Sequence, residues 1–173
     1  MIAKKTPPEE VLSHVKGRIG EIYIEALSLS HNLTCQNCKG GEYDSLGIDY
    51  LLFNYPQGVK RNILIEDGKQ INLQVKGTSI SSKTMLKDKS DHYLYTLSKS
   101  VYKAGGIKTY LIVICIPEEE IYEEWIQIEP EKILLFAKAY YYEVMSGGLK
   151  EGNKIKIPKS NILDKNVLFR LFD

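Results

Sequence analysis

A chain of 173 residues that is 43% hydrophobic and 26% charged has the ordinary composition of one globular domain, long enough for a single core and too apolar for intrinsic disorder. Its net charge of +1 defines no partner by itself, and without a run of about 18 apolar residues it has no candidate membrane span. The N-terminal MIAKKTPPEE lacks the apolar segment of a signal peptide and the three cysteines are an odd number, so reduced thiols in a cytoplasmic protein with no membrane partner are expected.

The first helix signal is Pro7-Pro8-Glu9-Glu10, a proline with acids suited to a first turn. Val11, Val15, Ile19, Ile22 and Ala26 follow at helical spacing and predict one amphipathic helix from Glu9 to about Leu29. Gly17 and Gly20 within it each lower helix stability by about 1 kcal/mol relative to Ala, which suggests close approach of another element. Glu21 lies beside them, near the expected sheet; alternatively it is a surface residue paired with Arg18. His31 to Ser45 reads as a loop. Its His31, Cys35 and Cys38 are a conceivable zinc knuckle, but a second Cys-x-x-Cys pair is missing. Asp44 is read as a turn residue, or as a group behind Asp49.

The stretch Gly47 to Thr78 reads as a meander: a β-rich segment Ile48 to Tyr55, a short apolar run Ile63 to Glu66, the Asp67-Gly68 hairpin signal, and a strand Lys69 to Thr78. Alternation puts Ile71, Leu73 and Val75 on one face of that last strand and Gln70, Asn72, Gln74 and Lys76 on the other. Lys76 and Asp49, charges within apolar strands, each call for a partner.

Ser79 to Asp91 is polar and lysine-rich, Tyr93 to Leu97 alternates as a strand, and Ser98 to Ala104 is expected as a short helix. Tyr110 to Ile116 is the apolar run of a strand buried on both faces, hence central. A short strand at Trp125 to Ile128 precedes a helix opening at Pro130 and ending near Val144 before Gly147-Gly148. Its Tyr140, Tyr141 and Tyr142 are expected as packing groups. Lys154 to Ile157 is an edge strand and Leu163 to Phe172 a terminal helix. The expected core includes Val15, Ile19, Ile22, Leu51, Leu73, Val75, Leu111, Val113 and Leu135. Charge is uneven: seven lysines face two aspartates between Lys76 and Lys108, a basic segment directly after the Gln74-x-Lys76 strand.

An acid at Asp49 followed by Gln74-x-Lys76 at the end of a hairpin resembles the signature of the PD-(D/E)XK nuclease superfamily, in its Gln-x-Lys, Mrr-like variant. Gly17-Arg18-Ile19-Gly20-Glu21 resembles the glutamate-bearing helix that precedes the first acid in those enzymes. The C-terminal part, with its strand at Thr109 to Ile116, Trp125 and Lys156-Ile157-Pro158, resembles an uncharacterised bacterial branch of the superfamily, a domain of unknown function. Ile48 replaces the signature's proline, and Gln74 is neutral where many members carry an acid. The resemblance implies one α/β (α+β) domain over residues 1–173, restriction-endonuclease-like, with a mixed central sheet flanked by helices: the Glu9 to Leu29 helix on one face and later helices on the other.

It also implies a metal-dependent endonuclease hydrolysing the phosphodiester bonds of DNA, in defence against foreign DNA; a non-catalytic nucleic-acid or protein interaction module on the same fold stays open, as does a homodimer. Glu21, Asp49, Gln74 and Lys76 are the catalytic candidates. Glu21 and Asp49 are hard oxygen ligands for Mg²⁺ (or Mn²⁺), with the backbone carbonyl of Val75 as a third ligand implied by the resemblance. Lys76 would hold the attacking water or the phosphate as a compact charge, and Gln74 would orient a water. Lys83, Lys87, Lys89, Lys99 and Lys103 are the expected contacts to the phosphate backbone.

Overall fold

The computed structural model describes residues 8–54, 68–79, 90–102, 106–116 and 125–173, and the expected strand at Ile63 to Glu66 lies outside them. The fold is α+β. A mixed sheet takes the order β1 (Thr34–Asn37), β2 (Tyr50–Asn54), β3 (Lys69–Ser79), β5 (Lys108–Ile116), β8 (Lys138–Glu143). Only the β3–β5 pair is parallel; β1–β2, β2–β3 and β5–β8 are antiparallel. β4 (His92–Thr96) pairs with β9 (Lys154–Pro158), and β6 (Ile126–Glu129) with β7 (Lys132–Leu135), in separate two-stranded sheets. The helices are α1 (Glu9–Leu29), the short α2 (Glu42–Ser45) and α3 (Lys165–Arg170).

β5 is central, as its unbroken apolar run requires. Tyr110, Ile112, Ile114 and Ile116 belong to the cluster beneath α1, while Leu111, Val113 and Cys115 belong to the cluster beneath β4 and β9. The expectation of helices on both faces is therefore corrected. α3, capped by Asp164 accepting from the backbone N–H groups of Asn166 and Val167, sends Leu168 and Phe172 into the α1 face. The opposite face is covered by the β4–β9 ladder.

α1 has the predicted span but a rotated buried stripe. Leu12, Ile19, Gly20, Ile24 and Ser28 face inward, whereas Ile22, expected in the core, is 42% exposed. Two glycines set the rotation. A Cβ on Gly20 would lie 3.1 Å from Cγ1 of Val75, and one on Gly77 would lie 2.5 Å from the carbonyl oxygen of Lys16. Helix and strand thus meet almost backbone to backbone along the Leu12, Lys16, Gly20, Ile24 line, which is an i, i+4 ridge. Gly17 has open space instead, so only Gly20 serves the close approach expected of both.

Three further expectations change. The helix from Pro130 to Val144 is instead β7 and β8. Pro130 and Glu131 are the turn of the β6–β7 hairpin, and the tyrosine-rich segment pairs with the open edge of β5, Ile112 opposite Tyr141. Aromatic residues fit a half-buried pleated surface, and the available partner strand outweighs the helix-like proline start and glycine stop. Residues 98–102 are not helical; Val101 exchanges both backbone hydrogen bonds with Leu149. The segment from His31 to Ser45 contains β1 and α2. No helix among the described residues is long and apolar enough to cross a membrane.

Candidate active site at the parting of two strands

The regular β2–β3 register ends at Tyr50 opposite Leu73. Just beyond it, the Asp49 backbone N–H donates to the Leu73 carbonyl at 2.8 Å and the Asp49 carbonyl accepts from the Cys38 N–H at 2.9 Å. The next donor on that edge of β3, the Val75 N–H, has its strand partner replaced by a side chain: it donates to Oδ2 of Asp49 at 2.7 Å. Because the N–H and C=O of one strand residue point to the same edge, the Val75 carbonyl is turned toward the same gap.

Gln74 is fully buried. Its Nε2 lies 3.5 Å from Oδ2 of Asp49, and its Oε1 is a buried acceptor with no hydrogen-bond partner among the described residues. Gly47 makes room for this amide. Its φ is +75°, and a Cβ there would lie 2.3 Å from the Ser100 carbonyl oxygen and 3.1 Å from Oε1 of Gln74, so no other residue fits without displacing backbone. Lys76, two residues along the same face, is half-buried. Burial pushes its ammonium below the ordinary lysine range, the Asp49 charge opposes that shift, and the neighbouring Lys99 adds to it. Among the described residues no carboxylate pairs with Lys76 at ion-pair distance. Asp49, Gln74, Val75 and Lys76 are thus brought together, as their order in the sequence suggests.

Glu21 is engaged by two cations. Its two carboxylate oxygens accept from Arg18 and Lys39, and its side chain is only 12% exposed. α1 packs on the face of β3 that presents Val75 and Gly77, whereas Gln74 and Lys76 present the other face. Among the described residues no hydrogen bond or ion pair joins Glu21 to Asp49, and no three His, Cys, Asp or Glu side chains form a group that could hold a metal. Glu21 instead lines an open groove of about 700 Å³ with Glu10, His14, Gly17 and Lys39.

The residues of the conceivable zinc knuckle are likewise dispersed. His31 stacks on Phe169 at 4.8 Å and its Nε2 meets the Lys165 carbonyl. Cys35 packs against the α1 cluster and Cys38 belongs to a different one. Both are free thiols pushed up by burial, Cys35 to about 11.

Comparison of the chain with protein-family models, with curated proteins and with solved structures finds no match.

Of the expected phosphate contacts, Lys83, Lys87, Lys89 and Lys103 lie outside the described residues. Lys99 lies inside them, donating to the Asp44 carbonyl oxygen at 3.2 Å and to its Oδ1 at 3.3 Å. The sequence leaves Asp44 as a turn residue or as a group behind Asp49, without naming Lys99 as its partner. Its carboxyl is held below the usual range first by the Gly40 N–H and then by Lys99. The available signal was its position five residues before Asp49, on the turn that delivers that acid.

Proposed function

We propose that this chain is a metal-dependent nuclease of restriction-endonuclease-like fold that hydrolyses phosphodiester bonds of DNA, with Asp49, Gln74 and Lys76 as its catalytic residues. The observation that carries the reading is the Asp49 carboxylate seated on the Val75 N–H where β2 and β3 part, with the half-buried Lys76 ammonium on the adjoining face.

The donors at the gap fit a hydrated divalent cation. One Asp49 oxygen is engaged by Val75 and Gln74, which leaves Oδ1 and the Val75 carbonyl as hard oxygen ligands. Mg²⁺ keeps several waters and takes one or two carboxylates together with substrate phosphate, so so small a donor set suits it, and Mn²⁺ likewise. Bound there, the metal would polarise a phosphoryl oxygen and acidify a coordinated water. The chain's own residues do the rest. Asp49 is fixed in one orientation by a backbone donor. Lys76 supplies a desolvated positive charge, worth more beside a developing phosphorane charge than the same ammonium in water. Gln74 orients a water by its amide without adding negative charge.

A second reading, a non-catalytic interaction module on this fold, draws on the engagement of Glu21 by Arg18 and Lys39, which occupies both oxygens of one expected metal ligand. Calorimetric titration with Mg²⁺ separates the two. The nuclease reading expects binding by wild type and its loss in Asp49→Ala; equal heats from both proteins support the module.

A further inference from the structure

The turn that delivers Asp49 is fastened to the segment Leu97 to Tyr102. The Tyr102 N–H donates to the Leu46 carbonyl at 3.0 Å. Gly47 abuts both the Ser100 carbonyl and the Gln74 amide, and Lys99 reaches back to Asp44. These contacts hold Lys99 next to the face of β3 that carries Gln74 and, two residues on, Lys76. Lys76 and Lys99 thus lie at one end of the sheet, together with the carboxylates of Asp49 and Asp44.

We propose that Lys76 and Lys99 form a seat for a phosphoryl oxyanion, with Asp44 as the positioning residue that holds Lys99 at it. The inference rests on the nuclease reading only in taking the oxyanion to be the phosphate at the point of cleavage. An ammonium has three N–H donors; Lys99 spends two on Asp44, which leaves one for a ligand. The pair is half-exposed, with Lys99 at 50% and Asp44 at 40%, so it is weak and yields readily to a dianion that accepts from the same ammonium. Neither carboxylate is free to fill the seat itself. Asp49 is tied to the Val75 N–H, and Asp44 also accepts from the Gly40 N–H through Oδ2 at 3.2 Å.

The test is titration of the whole chain with inorganic phosphate at low ionic strength, followed by calorimetry and by ³¹P NMR. Wild type is expected to bind, and Lys99→Gln to bind about tenfold more weakly, as loss of one charged hydrogen bond implies. Lys138→Gln, a change at an exposed lysine of β8, is the control and should leave affinity unchanged. Asp44→Asn is the decisive variant. If Asp44 positions Lys99, affinity falls; if Asp44 merely opposes the anion by its charge, affinity rises. A rise, or a Lys99→Gln protein no weaker than Lys138→Gln, overturns the proposal. Phosphate binding with the expected variant pattern but no DNA cleavage supports the seat and removes the nuclease reading. DNA cleavage by a protein whose phosphate affinity ignores Lys99→Gln does the opposite.

Discussion

The Asp49 carboxylate accepts the Val75 N–H at 2.7 Å, so a side chain completes a backbone ladder at the place where two strands separate. That relationship gives Asp49 two duties that substitution can divide. Asp49→Ala leaves the Val75 N–H unsatisfied and is expected to cost about 1–3 kcal/mol of stability. Asp49→Asn keeps an acceptor oxygen and is expected to cost less than half as much, yet to abolish divalent-cation binding as completely as alanine does. Denaturant unfolding and Mg²⁺ titration of both variants check this.

The α1–β3 contact separates two glycines that look alike in the sequence. Gly77→Ala forces a methyl within 2.5 Å of the Lys16 carbonyl oxygen and is expected to destabilise the fold by about 2 kcal/mol or more. Gly17→Ala points into open space and is expected to stabilise by up to about 1 kcal/mol through helix propensity. Thermal melts of the two proteins should therefore move in opposite directions.

Cys115 supplies a pH-dependent stability. Burial pushes its thiol from 9.0 up to about 12, so above pH 9.0 the unfolded chain ionises while the folded chain does not. Fewer protons on the unfolded state mean that stability falls as pH rises through that window and is fully present below it. Cys115→Ala lacks this loss. The stability gap between wild type and Cys115→Ala should narrow by about 1 kcal/mol between pH 9 and 10, the slope approaching about 1.4 kcal/mol per pH unit at higher pH, measured by urea unfolding at pH 8, 9 and 10. A constant gap contradicts the assignment.

Much of this fold was legible in the residues. The double burial of Tyr110 to Ile116 follows from an apolar run without alternation, and the shared face of Gln74 and Lys76 follows from a period of two. What escaped was decided between elements. Periodicity alone placed Ile22 inward, but the Gly20–Val75 and Gly77–Lys16 approaches turned α1 by a fraction of a turn. Proline before and glycine after residues 131–144 imitate helix caps, but pairing with β6 makes Lys132–Leu135 a strand and the open edge of β5 makes Lys138–Glu143 another. At the site, the order of Asp49, Gln74 and Lys76 implied their convergence. The Arg18 partner of Glu21 is a local i,i+3 pair that the helix spacing already offers, whereas its Lys39 partner and the Lys99 partner of Asp44 rest on tertiary proximity, for which Lys39 and Lys99 carried no local signal.

The central claim is that Lys76 acts on a phosphodiester held at Asp49, and its most direct measurement is cleavage of a DNA duplex in Mg²⁺ or Mn²⁺ by wild type and by Lys76→Ala, with binding followed in parallel by filter retention. A charge needed mainly in the transition state should cost rate far more than affinity. Metal-dependent cleavage by wild type is expected, with a loss of about a hundredfold or more in Lys76→Ala and a fall in DNA affinity of no more than about tenfold, the share of one phosphate contact. Wild type that leaves DNA intact in both metals, or a Lys76→Ala protein that cleaves at the wild-type rate, contradicts it.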